Sequence, residues 1–115
     1  MHFIFFIVNI QMGIWNSKAD QNLEELLSQY KGDCLIFSKS TCRFSKAAIS
    51  LCNDIFPPSY IAIHKVKITI VEPSDIMRGA LQRKTGIETL PIIYIRGVYI
   101  GGFDELSKMN RIPRI

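Results

Sequence analysis

CLIFSKSTCRFSKAAISLCNDI, residues 34–55, changes its residue pattern twice within one continuous stretch. Cys34 to Phe37 is an unbroken apolar run bounded by polar residues, the pattern of a short buried strand. From Arg43 the apolar positions are Phe44, Ala47, Ala48, Leu51, Cys52 and Ile55, a stripe with helical spacing. The polar residues 38–42 between them form a loop, which leaves Cys42 at the start of the helix. Unpaired N–H groups and the helix dipole favour an anion there, and Lys39, Arg43 and Lys46 add positive charge. The thiol pKa is therefore expected well below its ordinary value of about 8.5, making Cys42 the candidate nucleophile. Burial of this thiol among polar and basic neighbours would be costly, which argues against an inert core cysteine.

The other two cysteines have the opposite surroundings. Cys34 lies within the apolar strand and Cys52 on the apolar stripe, so both read as core fillers. Cys52 stands about 15 Å along the helix from Cys42, too far for a direct bond. Ser45 occupies the position three residues after Cys42, the same face of the first turn, where a dithiol enzyme would keep its second sulfur. A hydroxyl cannot displace a mixed disulfide. Any disulfide on Cys42 then requires an external thiol, and glutathione, an abundant small anion, suits the basic surroundings.

Working outward, residues 20–30 carry Leu23, Leu26, Leu27 and Tyr30 at helical spacing, with Gly32 as the stop. Pro57 and Pro58 end the helix after Cys42. Residues 60–71 read as a strand, with Val66, Ile68 and Ile70 alternating against Lys65, Lys67 and Thr69, and His64 sits on it without a companion. Ser74 reads as the N-cap of a third helix that ends at Gly86. PIIYI and VYI are strands joined by a tight Arg96–Gly97 turn, and a last helix begins near Asp104. The order predicts an α/β fold, a mixed central sheet covered by helices.

Composition bounds the function. The chain has 115 residues, one domain's worth, with 48% apolar residues and a formal charge of +4. No dense basic run interleaved with aromatics marks a nucleic-acid face. Three cysteines without a C-x-x-C, and with neither His2 nor His64 at ligand spacing, argue against a protein-only zinc site. Residues 3–15 are strongly apolar, with Ser17 and Ala19 as small residues suited to cleavage after Ala19. Residues 1–19 therefore read as a secretory signal or anchor, although the start of the chain before the apolar stretch has no Lys or Arg, only His2. The alternative is an extra strand or apolar tail on the domain of residues 20–115.

Three separated motifs carry a resemblance to the glutaredoxin family over about residues 23–109. FSKSTCRFS at 37–45 resembles its active-site segment, TLP at 89–91 its Thr-Val-Pro with a cis proline, and GGFD at 101–104 its Gly-Gly-x-Asp turn. The resemblance implies a thioredoxin-like fold, a four-stranded mixed sheet flanked by helices, with glutathione bound beside the thiol. It implies Cys42 as nucleophile, and Lys39 and Arg78 as grips on the glycyl carboxylate. Phe44 would flank the groove. Thr89, Leu90 and Pro91 would meet the cysteinyl part through the Leu90 backbone, and Gly102, Phe103 and Asp104 would hold the γ-glutamyl end.

Within the family the C-x-x-S thiol-transferase type fits best, and FSKSTC-x-x-SK followed by FPPSY is similar to the fungal early-secretory-pathway glutaredoxins. That similarity implies an endoplasmic reticulum or Golgi location, with a cytoplasmic location as the alternative, and membrane association through residues 3–15. The function implied is a monothiol glutathione-dependent thiol–disulfide oxidoreductase acting on glutathionylated proteins, as a monomer. The alternative is a carrier or sensor in which two chains and two glutathiones share a [2Fe–2S] cluster through Cys42. Arg43 departs from the family's usual Pro, Ser or Gly, and Glu105 replaces its common second Asp. The last helix is expected to be short for the family, covering less of the core.

Overall fold

The computed structural model describes residues 17–111; residues 3–15, read as a signal or anchor, lie outside the described residues. The elements are α1 (Lys18–Gln29), β1 (Cys34–Phe37), α2 (Arg43–Ile55), α3 (Pro58–His64), β2 (Ile68–Val71), α4 (Asp75–Thr85), β3 (Ile92–Ile95), β4 (Val98–Gly101) and α5 (Phe103–Arg111). Four strands form one sheet in the order β2-β1-β3-β4, with β1 parallel to β2 and antiparallel to β3, and β3 antiparallel to β4. Among the described residues no helix is long and apolar enough to cross a membrane.

β1 reads as an apolar run because it is buried on both faces. Cys34 and Ile36 enter one core layer with Ala48, Cys52 and Ile55 of α2 and Leu106 of α5. Leu35 and Phe37 enter the other, with Leu23 of α1 and Ala80 and Leu81 of α4. Successive strand residues point to opposite faces, so a central strand with helices on both sides has no polar position to offer. β2 and β4 lie at the sheet edges and leave Ile70, Val98 and Tyr99 partly exposed.

Helix boundaries follow local chemistry. Ser17 caps α1 in a reciprocal box with Asp20, whose carboxylate also pairs with Arg83 of α4 at 2.7 Å. Helix α1 thus starts at Lys18 with its cap at Ser17, and Ala19 is buried. Ser74 caps α4, and Gly86 closes it in the left-handed conformation, as the sequence indicates. Arg96 and Gly97 both take positive φ, the requirement of the tight hairpin turn between β3 and β4.

One expectation is corrected. Residues 60–71 are not a continuous strand: Pro58–His64 is helix α3, and β2 starts only at Ile68. Pro58 stands in the first turn of α3, where proline's fixed φ and missing N–H are tolerated, so the proline pair ends one helix and starts the next. Phe56, Tyr60 and His64 then stack at four-residue spacing, with centroid separations of 5.5 and 4.1 Å. His64 is therefore an exposed helix-end residue against Tyr60, not a strand residue.

Candidate active site

The β1–α2 loop presents the thiol. Cys42 is the N-cap of α2, and its own N–H donates to Lys39 O at 2.9 Å, closing a tight turn over residues 39–42. Ser45, three residues on, is 1% exposed, and its hydroxyl accepts the Lys39 N–H at 3.2 Å. Ser40 N–H is held by Glu72 at 3.0 Å. The loop is thus fixed at three backbone groups before any ligand arrives.

As a thiol, Cys42 leans toward Leu90 O, 3.7 Å away. As a thiolate it becomes an acceptor for the open end of α2, and this form is favoured. The Ser45 N–H and then its hydroxyl hold the Cys42 pKa below the ordinary thiol value, helped by the Phe44 N–H and the Lys39 charge and opposed by partial burial. The helix end therefore contributes more than the surrounding cations, a different weighting from simple positive crowding.

Cys34 and Cys52 behave otherwise. Both are fully buried, and their sulfurs lie 3.5 Å apart across the β1–α2 contact. The Cys52 sulfur and then burial push the Cys34 thiol far up, so Cys34 stays protonated. Both are core residues, as their places in the apolar pattern predict, and their mutual contact is not legible in that pattern.

A cleft of about 560 Å³ opens beside Cys42. Its lining brings together every residue named from the sequence for this site: Lys39, Cys42, Phe44, Arg78, Thr89, Leu90, Pro91, Gly102, Phe103 and Asp104. The sheet order explains the convergence, because the loops around β1, β3 and β4 emerge from adjacent strands. The Leu90–Pro91 peptide is cis, and Pro91 is buried. Arg78 donates to Glu88 O at 3.0 Å, which ties α4 to the loop before Thr89. Phe44 is 48% exposed, a cleft wall and not a core residue, and its ring lies 6.2 Å from that of Phe103.

Two lining residues, Ile87 and Glu105, were not singled out as site residues. Glu105 accepts the Gly102 N–H at 2.8 Å, and a side chain at Gly101, where φ is +125°, would strike the Glu105 side chain. The glycine pair therefore permits a close fold-back of α5 onto the turn, and Gly102 lies under the Pro91 carbonyl. A glutamate three residues after an N-cap position was a readable signal for this bond. Nothing in the sequence distinguished Ile87.

A four-stranded mixed sheet flanked by helices, with a thiol at a helix N-terminus facing a cis-proline loop, is a thioredoxin-like fold. The buckwheat glutaredoxin–glutathione complex superimposes with a TM-score of 0.63 at 24% identity, covering 81% of this chain and 79% of that one. Residues 34–100 match the glutaredoxin family, more than half of the sequence, and the chain belongs to that family. Mitochondrial glutaredoxin-2 of Rattus norvegicus is 26% identical over 104 residues, 90% of this chain and 64% of that protein. Glutaredoxin-2 of Schizosaccharomyces pombe is 36% identical over 75 residues, 65% of this chain and 64% of the relative. The chain thus spans slightly less than two thirds of the length of these relatives.

Proposed function

We propose that the protein is a glutathione-dependent thiol–disulfide oxidoreductase that works with one thiol. The observation that carries this reading is Cys42 at the α2 N-cap, opening onto the cleft, with a buried serine at position 45. The Cys42 thiolate attacks the glutathionyl sulfur of a protein–glutathione disulfide. A bond forms between Cys42 and that sulfur, and the protein thiolate leaves. A second glutathione thiolate then attacks the same glutathionyl sulfur, releasing glutathione disulfide and restoring the Cys42 thiolate. Ser45 cannot compete for the intermediate, since a hydroxyl does not displace a disulfide.

The cleft suits this ligand. Lys39 and Arg78 offer two cations for its glycyl carboxylate, and the Leu90 backbone stands opposite the thiol to pair with its cysteinyl part. Phe44 and Phe103 supply apolar walls, Thr89 and Pro91 complete the floor, and Asp104 faces the γ-glutamyl ammonium from the α5 N-terminus beside Gly102. A glutathione complex of a related fold supports the assignment.

For location, we read residues 3–15 as a secretory-pathway anchor. Ser17 and Ala19 form the cap and first turn of α1, which favours a retained segment over cleavage after Ala19. The test of function is glutathione-dependent reduction of a glutathionylated peptide by the full chain beside Cys42→Ser. Turnover lost in the variant is the expected result. Turnover retained there would overturn the assignment. Folded wild-type protein that turns nothing over, yet becomes brown when given iron, inorganic sulfide and glutathione without oxygen, would favour the [2Fe–2S] reading instead.

A further inference from the structure

The first turn of α2 contains no acidic residue; it carries Arg43 and Lys46, two cations at the positive end of the helix. Charges of this sign oppose the helix dipole. A local arrangement that works against the fold marks a functional constraint more often than an accident. The thiolate accounts for only part of it, since the Ser45 N–H and hydroxyl come first among its stabilisers and Lys39 is the cation that assists.

Arg43 and Lys46 are both exposed, and neither lines the cleft in which Lys39 and Arg78 lie. The two salt bridges among the described residues, Asp20–Arg83 and Glu24–Lys84, involve neither. Two carboxylates of the thiol loop and cleft are bonded elsewhere, Glu72 to Ser40 N–H and Glu105 to Gly102 N–H, and the cleft residue Asp104 forms no salt bridge with either cation. The Arg43 guanidinium instead rests 5.1 Å over the Phe44 ring, at the rim of the cleft. A mixed disulfide has two halves. When the cleft receives one, the other is left to the surface outside it, where Arg43 and Lys46 are exposed cations within four residues of Cys42.

We propose that Arg43 and Lys46 form a recognition surface for the protein half of the substrate, selecting cysteines flanked by aspartate or glutamate. The proposal rests on Cys42 being the exchanging thiol, as in the function assigned above. Opposite charges steer encounter and fix orientation, and the effect weakens with salt.

The test is the second-order rate at which Cys42 of the reduced full chain takes the glutathionyl group from two S-glutathionylated peptides, one glutamate-flanked and one lysine-flanked, with the peptide thiolate as the leaving group. At low ionic strength the acidic peptide should react roughly three- to tenfold faster, and the preference should shrink at high salt. The double variant R43E/K46E should reverse it. Because both peptides meet the same thiolate, their ratio cancels any change in its nucleophilicity, and a merely structural role would not move it. Equal rates, or a ratio unchanged in the double variant, would overturn the proposal. Glutathione turnover of a small neutral mixed disulfide, measured on the same preparation, reports on the enzyme assignment separately. Failure there with peptide preference intact would remove the assigned activity and leave the acidic-peptide surface standing.

Discussion

The two ends of α2 carry the same functional group in opposite conditions. Cys42, at the N-cap, is half-buried beside a cleft and stabilised as an anion by the helix end. Cys52, in the last turn, is fully buried against Cys34 at 3.5 Å. One helix thus holds a thiol meant for exchange and another meant for packing. Ten residues of sequence and no difference in side chain separate them. Reactivity here is a property of position, set by which backbone groups face the sulfur and whether reagents can reach it.

That contrast fails if the sulfurs prove interchangeable, and the sharpest test is replacement. Cys42→Ser should reduce glutathione-dependent turnover on the order of 10³-fold or more, whereas Cys52→Ala should retain it in the folded protein. Comparable losses in both would break the comparison. Accessibility gives the next largest effect. Iodoacetamide should label Cys42 promptly, and Cys34 and Cys52 only through opening of the fold, slower by roughly 10³-fold or more, as peptide mass mapping over time would show. Equal labelling of all three would mean that the inner pair is not secluded.

Packing should respond in the opposite sense. Cys52→Ala removes a fully buried sulfur from the layer between β1 and α2 and should cost roughly 1–2 kcal/mol in denaturant unfolding, against near zero for Cys42→Ala. The smallest effect concerns the anion. Lys39 favours the Cys42 thiolate, so Lys39→Ala should raise the thiol pKa, moving the alkylation-rate profile toward higher pH. A downward shift would show that the lysine acts in some other way.

These two thiols also show how much was legible in the sequence. The β1–loop–α2 segment could be read because its pattern passes from an apolar run to a helical stripe within 22 residues, leaving Cys42 at the junction. The burial of Cys34 and Cys52 followed from the same pattern. Their contact did not, because period assigns a residue to a face and does not say which partner it meets across the layer. Residues 60–71 failed for a related reason. Alternation from Val66 onward was extended backward over Tyr60 to His64, while the four-residue spacing of Phe56, Tyr60 and His64 was a helical signal. The cleft draws on four separate segments spread from residue 39 to residue 105, around residues 39–44, 78, 87–91 and 102–105. No local pattern connects them. Their common motif order suggested one groove, and the adjacency of β1, β3 and β4 supplies the physical means.

The buried hydroxyl of Ser45 carries a consequence for how such a site could change. It would look as though one substitution, serine to cysteine, could give this protein a second active sulfur. Yet the Ser45 oxygen already accepts the Lys39 N–H and is sealed at 1% exposure beneath the thiol loop. Sulfur is larger and a weaker acceptor, and a backbone N–H left unsatisfied there would cost about 1–3 kcal/mol. A second sulfur at this position would therefore come at the expense of a good acceptor for the Lys39 N–H and of close packing beneath the loop that presents Cys42.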